Sequence, residues 1–155
     1  MTGQTPQEHF RLILLTVVGQ AFERAGYLLD DAPTAWAGGL FRFRKTLNTG
    51  PYAGLIAIIE FQFLYYTEGR PALFRVHLIR TDQTDVNAAS RHADSARKLL
   101  TELVVRDFRV PIVPSVDHWW SYRDINAMGR ALGEAGSLAI GYGMPWLDGS
   151  LLPPA

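Results

Sequence analysis

Three stretches of the chain, "LFRFRKTL" (40–47), "LIAIIEFQFLYY" (55–66) and "ALFRVHLIRT" (72–81), follow one another with only the short turns "NTGPYAG" and "TEGRP" between them. Apolar residues at every second position cannot line one side of a helix, but they do line one side of a strand. Turns this short, rich in Gly and Pro, return the chain antiparallel to itself. The pattern therefore predicts a meander of strands at about 39–47, 54–66 and 72–81.

The same pattern predicts the register. With Glu68 and Gly69 as the central residues of a tight turn, Phe63 faces Phe74, Phe61 faces Val76 and Ile59 faces Leu78. Gln62 then meets Arg75, and Glu60 meets His77. A slip of one residue would set charge against phenyl rings, so the burial pattern itself selects this parity. Phe41 and Phe43 join the apolar face. The other face displays Arg42, Arg44, Glu60, Gln62, Arg75 and His77, as expected of an antiparallel sheet with one solvated side.

"TPQEHF" carries the start signals of a helix: Thr5 to cap, Pro6 in the first turn and Glu8 three residues after the cap. Apolar residues from Phe10 to Ala25 recur at spacings of three and four, which predicts a helix over 6–26 stopped by Gly26. A similar period in "VNAASRHADSARKLLTELVV" predicts a second helix over 86–104. A third is expected over 122–136, and Trp146 and Leu147 make a C-terminal anchor over 144–148. The expected fold is α+β in a single domain, 1–155: an antiparallel meander sheet of three to four strands with helices packed on one face.

Fifteen acidic and fifteen basic residues leave no net charge, which argues against general attraction to nucleic acid or an anionic membrane. With no cysteine, thiolate chemistry and disulfides are excluded, and a cytoplasmic setting is the simpler expectation. The apolar run "FRLILLTVVGQAF" is shorter than the roughly 20 residues that cross a bilayer. It also lacks the basic start and cleavage site of a signal peptide, so it reads as a core helix.

No phosphate-binding loop, dinucleotide fingerprint, nucleophile elbow or zinc-protease motif is present, so neither a cofactor nor a catalytic residue is assigned. Two readings of the polar sheet face remain. Arg42, Arg44, Arg75 and His77 around Glu60 form a cluster suited to a carboxylate or phosphate, because guanidinium binds such groups through paired hydrogen bonds. The structural alternative is a set of cross-strand ion pairs, each contributing about 0.2–1 kcal/mol. A second function class is a metal-dependent nuclease or phosphodiesterase with Glu60 and Glu23 as ligands. "VDHWWSY" adds Trp119 and Trp120; adjacent tryptophans cannot fill one apolar pocket, so one is expected in the core and the other at an edge.

Taken in order, "AGY" at the end of the first helix, "LFRFR", "EFQ", "FRVHL", "WW" and the closing "GMPWLD" resemble the bacterial domain of unknown function numbered forty-three-zero-four, over residues 8 to 148. The resemblance implies a fold and assigns no activity. The expected protein is a small non-enzymatic binding or accessory domain that meets an unknown protein partner or a small anionic ligand through the Arg-rich face. A homodimer paired through an exposed edge strand is a further expectation.

Overall fold

A computed structural model of the chain describes residues 4–154. Six antiparallel strands form one open sheet: β1 (Leu28–Leu29), β2 (Leu40–Thr46), β3 (Ile56–Leu64), β4 (Ala72–Thr81), β5 (Ala96–Leu99) and β6 (Trp120–Tyr122). The spatial order is β1-β2-β3-β4-β5, and β6 joins β4 at the end that β5 leaves free. The three to four strands expected are thus the centre of a wider sheet. Phe63 pairs with Phe74, Phe61 with Val76 and Glu60 with His77, as the turn at Glu68–Gly69 requires. Both edges are short, which leaves little free ladder for another chain.

The helices cover the aromatic face. Helix α1 (Pro6–Leu14) begins where Thr5 Oγ1 accepts from the Glu8 N–H at 3.1 Å. It continues through a π-helical turn (Leu15–Gly19) into α2 (Gln20–Arg24). Phe10 lays its ring on Phe63 at 4.4 Å, and Phe22 meets Phe43 edge-on at 4.9 Å. Phe10, Phe22, Phe41, Phe61 and Phe74 are all fully buried, each stabilising the fold by about 1.5–3 kcal/mol. The short α3 (Pro33–Ala37) leads into β2 through Gly39, whose φ is +85° and where a Cβ would run into the Phe63 carbonyl.

The expected helix over 86–104 does not form. Residues 82–95 are a loop held by local side-chain bonds: Ser90 Oγ donates to Asp82 Oδ1, Asp85 Oδ1 accepts from the Asn87 N–H, and Ser95 Oγ donates to the His92 carbonyl. Asp, Asn and Ser compete in this way with a helical backbone. Residues 96–99 pair with β4, whose outer side would otherwise carry an unfilled ladder. A helical segment survives only beyond them, in the π-helical turn Glu102–Asp107 and its approach.

The last helix also departs from expectation. Residues 120–122 are strand, and α4 (Ile125–Leu138) starts three residues later than predicted, capped by Asp124. It does not stop at 136. A π-helical turn (Ala139–Gly143) carries it into α5 (Met144–Asp148), which contains the anchor residues. Gly136 makes this packing feasible: a Cβ there would come within 2.7 Å of Val18 Cγ1.

Arg80 ties α5 to the sheet. Buried at 6% exposure, it donates through Nη1 to the Trp146 and Leu147 carbonyls at 3.1 and 3.2 Å and through Nε to the Asp94 carbonyl at 2.7 Å. Its guanidinium lies 3.7 Å from the centre of the Tyr52 ring. A cation at the carbonyl end of a helix is electrostatically favoured. No helix among the described residues is long and apolar enough to cross a membrane.

Candidate functional site: the polar face of the sheet

The polar face is less open than expected. The 82–95 loop folds over one half of it, placing Val86 on Ile56, Ile58 and Ile79. The other half, with Leu40, Gln62, Leu64, Leu73, Arg75 and Trp119 all half-buried, lies outside that Val86 cluster among the described residues.

Glu60 is 3% exposed, a correction to its expected place on a solvated surface. The strand order causes this. Arg42 and His77 stand directly opposite Glu60 on the two neighbouring strands, and their long side chains close over it. Arg42 Nε donates to Oε2 at 2.7 Å; His77 Nδ1 stands 3.2 Å and Arg97 Nη2 3.6 Å from Oε1. Burial alone would raise the Glu60 carboxyl, but His77 and Arg42 outweigh it and hold the group at about 2. A carboxylate so stabilised accepts a proton poorly near neutral pH, so Glu60 is ill suited to general-base work.

The expected cluster divides into three. Arg42 and His77 belong to Glu60. Arg44 belongs instead to Asp30, with Nε–Oδ1 and Nη2–Oδ2 both at 3.0 Å, and its Nη1 donates to the Thr84 carbonyl at 2.8 Å. Arg75 forms the third group: its Nε donates to Gln62 Oε1 at 3.0 Å, and its guanidinium lies 4.3 Å from the centre of the Trp119 ring. Trp120 takes the opposite face, buried and stacked on Phe74 at 5.4 Å. The tryptophan pair therefore straddles the sheet.

Two participants were missed. Arg97 is visible only once 96–99 is read as a strand, and Asp30 only once the chain before α3 is seen to return beside β2; the pair Leu28–Leu29 is the sole local signal.

Glu23 does not join Glu60. It lies on α2, whose Phe22 packs against Phe43 and Phe61 on the aromatic side, so the sheet stands between the two carboxylates. No cluster of three or more His, Asp or Glu able to hold a metal ion occurs among the described residues. Comparison of the chain with protein-family models, with curated proteins and with solved structures gives no match.

Proposed function

We propose that the chain is a non-enzymatic binding protein that docks an acidic segment of a partner protein on the half of its polar sheet face outside the Val86 cluster, with Arg75 and Trp119 as the anchor. Arg75 carries this reading. Its Nε is occupied by Gln62 and its plane rests on Trp119, yet no carboxylate lies within ion-pair distance and neither Nη atom has an acceptor among the described residues. A guanidinium held in this way offers a fork to an incoming carboxylate with little ordering cost. Arg42 and Arg97 stand against Glu60 and Arg44 against Asp30, which leaves Arg75 as the sheet-face guanidinium without an acid beside it among the described residues. Leu40, Leu64 and Leu73 supply apolar contact beside the anchor. A cytoplasmic setting and membership of the uncharacterised bacterial family are part of the same proposal.

The test is a titration of isotopically labelled protein with a synthetic Glu-rich peptide, followed by NMR, with a Lys-rich peptide as control. Shifts are expected at the Arg75 Nε–H and the Trp119 indole N–H with the acidic peptide only. Arg75→Ala should weaken binding about 30-fold, the effect of losing about 2 kcal/mol at a hot spot. Arg42 is the wrong residue to remove, since its loss strips a buried carboxylate of its closest partner. Unchanged affinity in Arg75→Ala refutes the proposal. A second copy of this chain is the rival occupant, and a dimer in sedimentation that Arg75→Ala dissociates would put it in the partner's place.

A further inference from the structure

The polar face of the sheet already holds one segment of the chain, and the way it does so is specific. Ile58 on β3 and Ile79 on β4 stand directly opposite each other, and Arg44 stands opposite Ile58 on β2. The 82–95 loop meets both features at once. Val86 packs on the isoleucines, and the Thr84 carbonyl, two residues earlier, accepts from Arg44 Nη1 at 2.8 Å. An aliphatic side chain and an oxygen acceptor two residues apart thus fit a cross-strand aliphatic pair with an arginine beside it. Burial of the aliphatic group drives the contact, and the hydrogen bond fixes its register.

The same combination recurs on the other half of the face, beyond Glu60 and toward the β3–β4 turn. Leu64 and Leu73 stand directly opposite each other, and Arg75 lies two residues from Leu73 on the same side of β4, about 6.6 Å along the strand. Both leucines are half-buried, and among the described residues neither belongs to the main core or to the Val86 cluster. Along β4 in the other direction comes His77, which stands against Glu60, so the apolar neighbour of Arg75 on its own strand is Leu73.

The two arginines differ in charge balance. Asp30 neutralises Arg44, so a neutral carbonyl suffices there, whereas Arg75 has Gln62 as its side-chain acceptor and no acid beside it among the described residues. We infer that the acidic segment bound at Arg75 carries an aliphatic side chain two residues from its carboxylate, seated on the Leu64–Leu73 pair. This rests on the binding role proposed above and narrows the partner to an extended acid–x–aliphatic segment, whose side chains at that spacing also stand about 6.6 Å apart.

An NMR titration with two synthetic peptides of one composition tests the inference. Each has a single glutamate and a single valine in a Gly–Ser chain, two residues apart in one peptide and six apart in the other. The close-spaced peptide is expected to bind about tenfold more tightly, the effect of burying part of one aliphatic side chain, and to shift the Leu64 and Leu73 methyl signals. Leu73→Asn should remove that advantage and leave the wide-spaced peptide as before. Equal affinity of the two peptides for the wild type overturns the inference, and this comparison needs no variant to fold. An advantage that survives in folded Leu73→Asn overturns it too. If both peptides bind equally and Arg75→Ala weakens both, the broader role of Arg75 stands without the aliphatic contact. Indifference of both peptides to Arg75→Ala, or no shift with either at millimolar concentration, overturns that role as well.

Discussion

Replacing Glu60 by Gln should remove a specific part of the protein's acid sensitivity. In the folded chain the Glu60 carboxyl is held at about 2, below its ordinary 4.5, despite burial that acts in the opposite direction. Each factor of ten in proton affinity corresponds to about 1.4 kcal/mol, so this depression is linked to about 3 kcal/mol of stability. Because the folded-state value is the lower one, the unfolded chain binds the proton more readily. The contribution is therefore fully present above the ordinary carboxyl range and is lost as pH falls through 4.5 toward 2. Urea unfolding of the wild type and Glu60→Gln at neutral pH and at pH values stepping down to about 3 isolates this group, since the other carboxylates are common to both. The stability difference between the two proteins should shrink by about 2 kcal/mol over that range, the part of the window above pH about 3. Parallel curves would mean that Arg42 and His77 do not stabilise the ionised form, and the account of Glu60 would fail.

Arg80→Met should destabilise the fold by about 1–3 kcal/mol, because the carbonyls of Trp146, Leu147 and Asp94 lose their buried donor; thermal unfolding reads this directly. Gly136→Leu should lower the thermal midpoint through overpacking against Val18, at a cost of at least about 1–3 kcal/mol. Val86→Asp should leave the aromatic core intact but loosen the 82–95 loop from Ile56, Ile58 and Ile79, seen as faster amide exchange over that loop with a small loss of global stability.

The parity of the central sheet was legible because it is written twice, once in the alternation of each strand and again in the matching of apolar with apolar across the turn. Phe61 and Phe74 had to share a face, and Gln62 with Arg75 and Glu60 with His77 followed from the same register. The helix start at Pro6 was likewise local, set by Thr5, whereas the last helix starts at Ile125 under an Asp124 cap and not at 122 as expected. The stretch 86–96 misled because alanines spaced like a helix stripe carry no record of the open ladder on β4 that captured 96–99. That error hid Arg97, whose Nη2 stands 3.6 Å from Glu60 Oε1.

What the sequence by itself determined are the properties that depend on near neighbours: strand period, turn position, the aromatic side of the sheet and the residue types facing each other across it. Tertiary structure alone decided the state of the polar groups, since whether a charge is solvated, paired or buried depends on segments distant in the chain. Asp30 claims Arg44, Arg97 arrives beside Glu60, and the 82–95 loop covers half of a face that its own pattern leaves solvated. Electrostatics and desolvation act through space, and only the folded chain sets those distances.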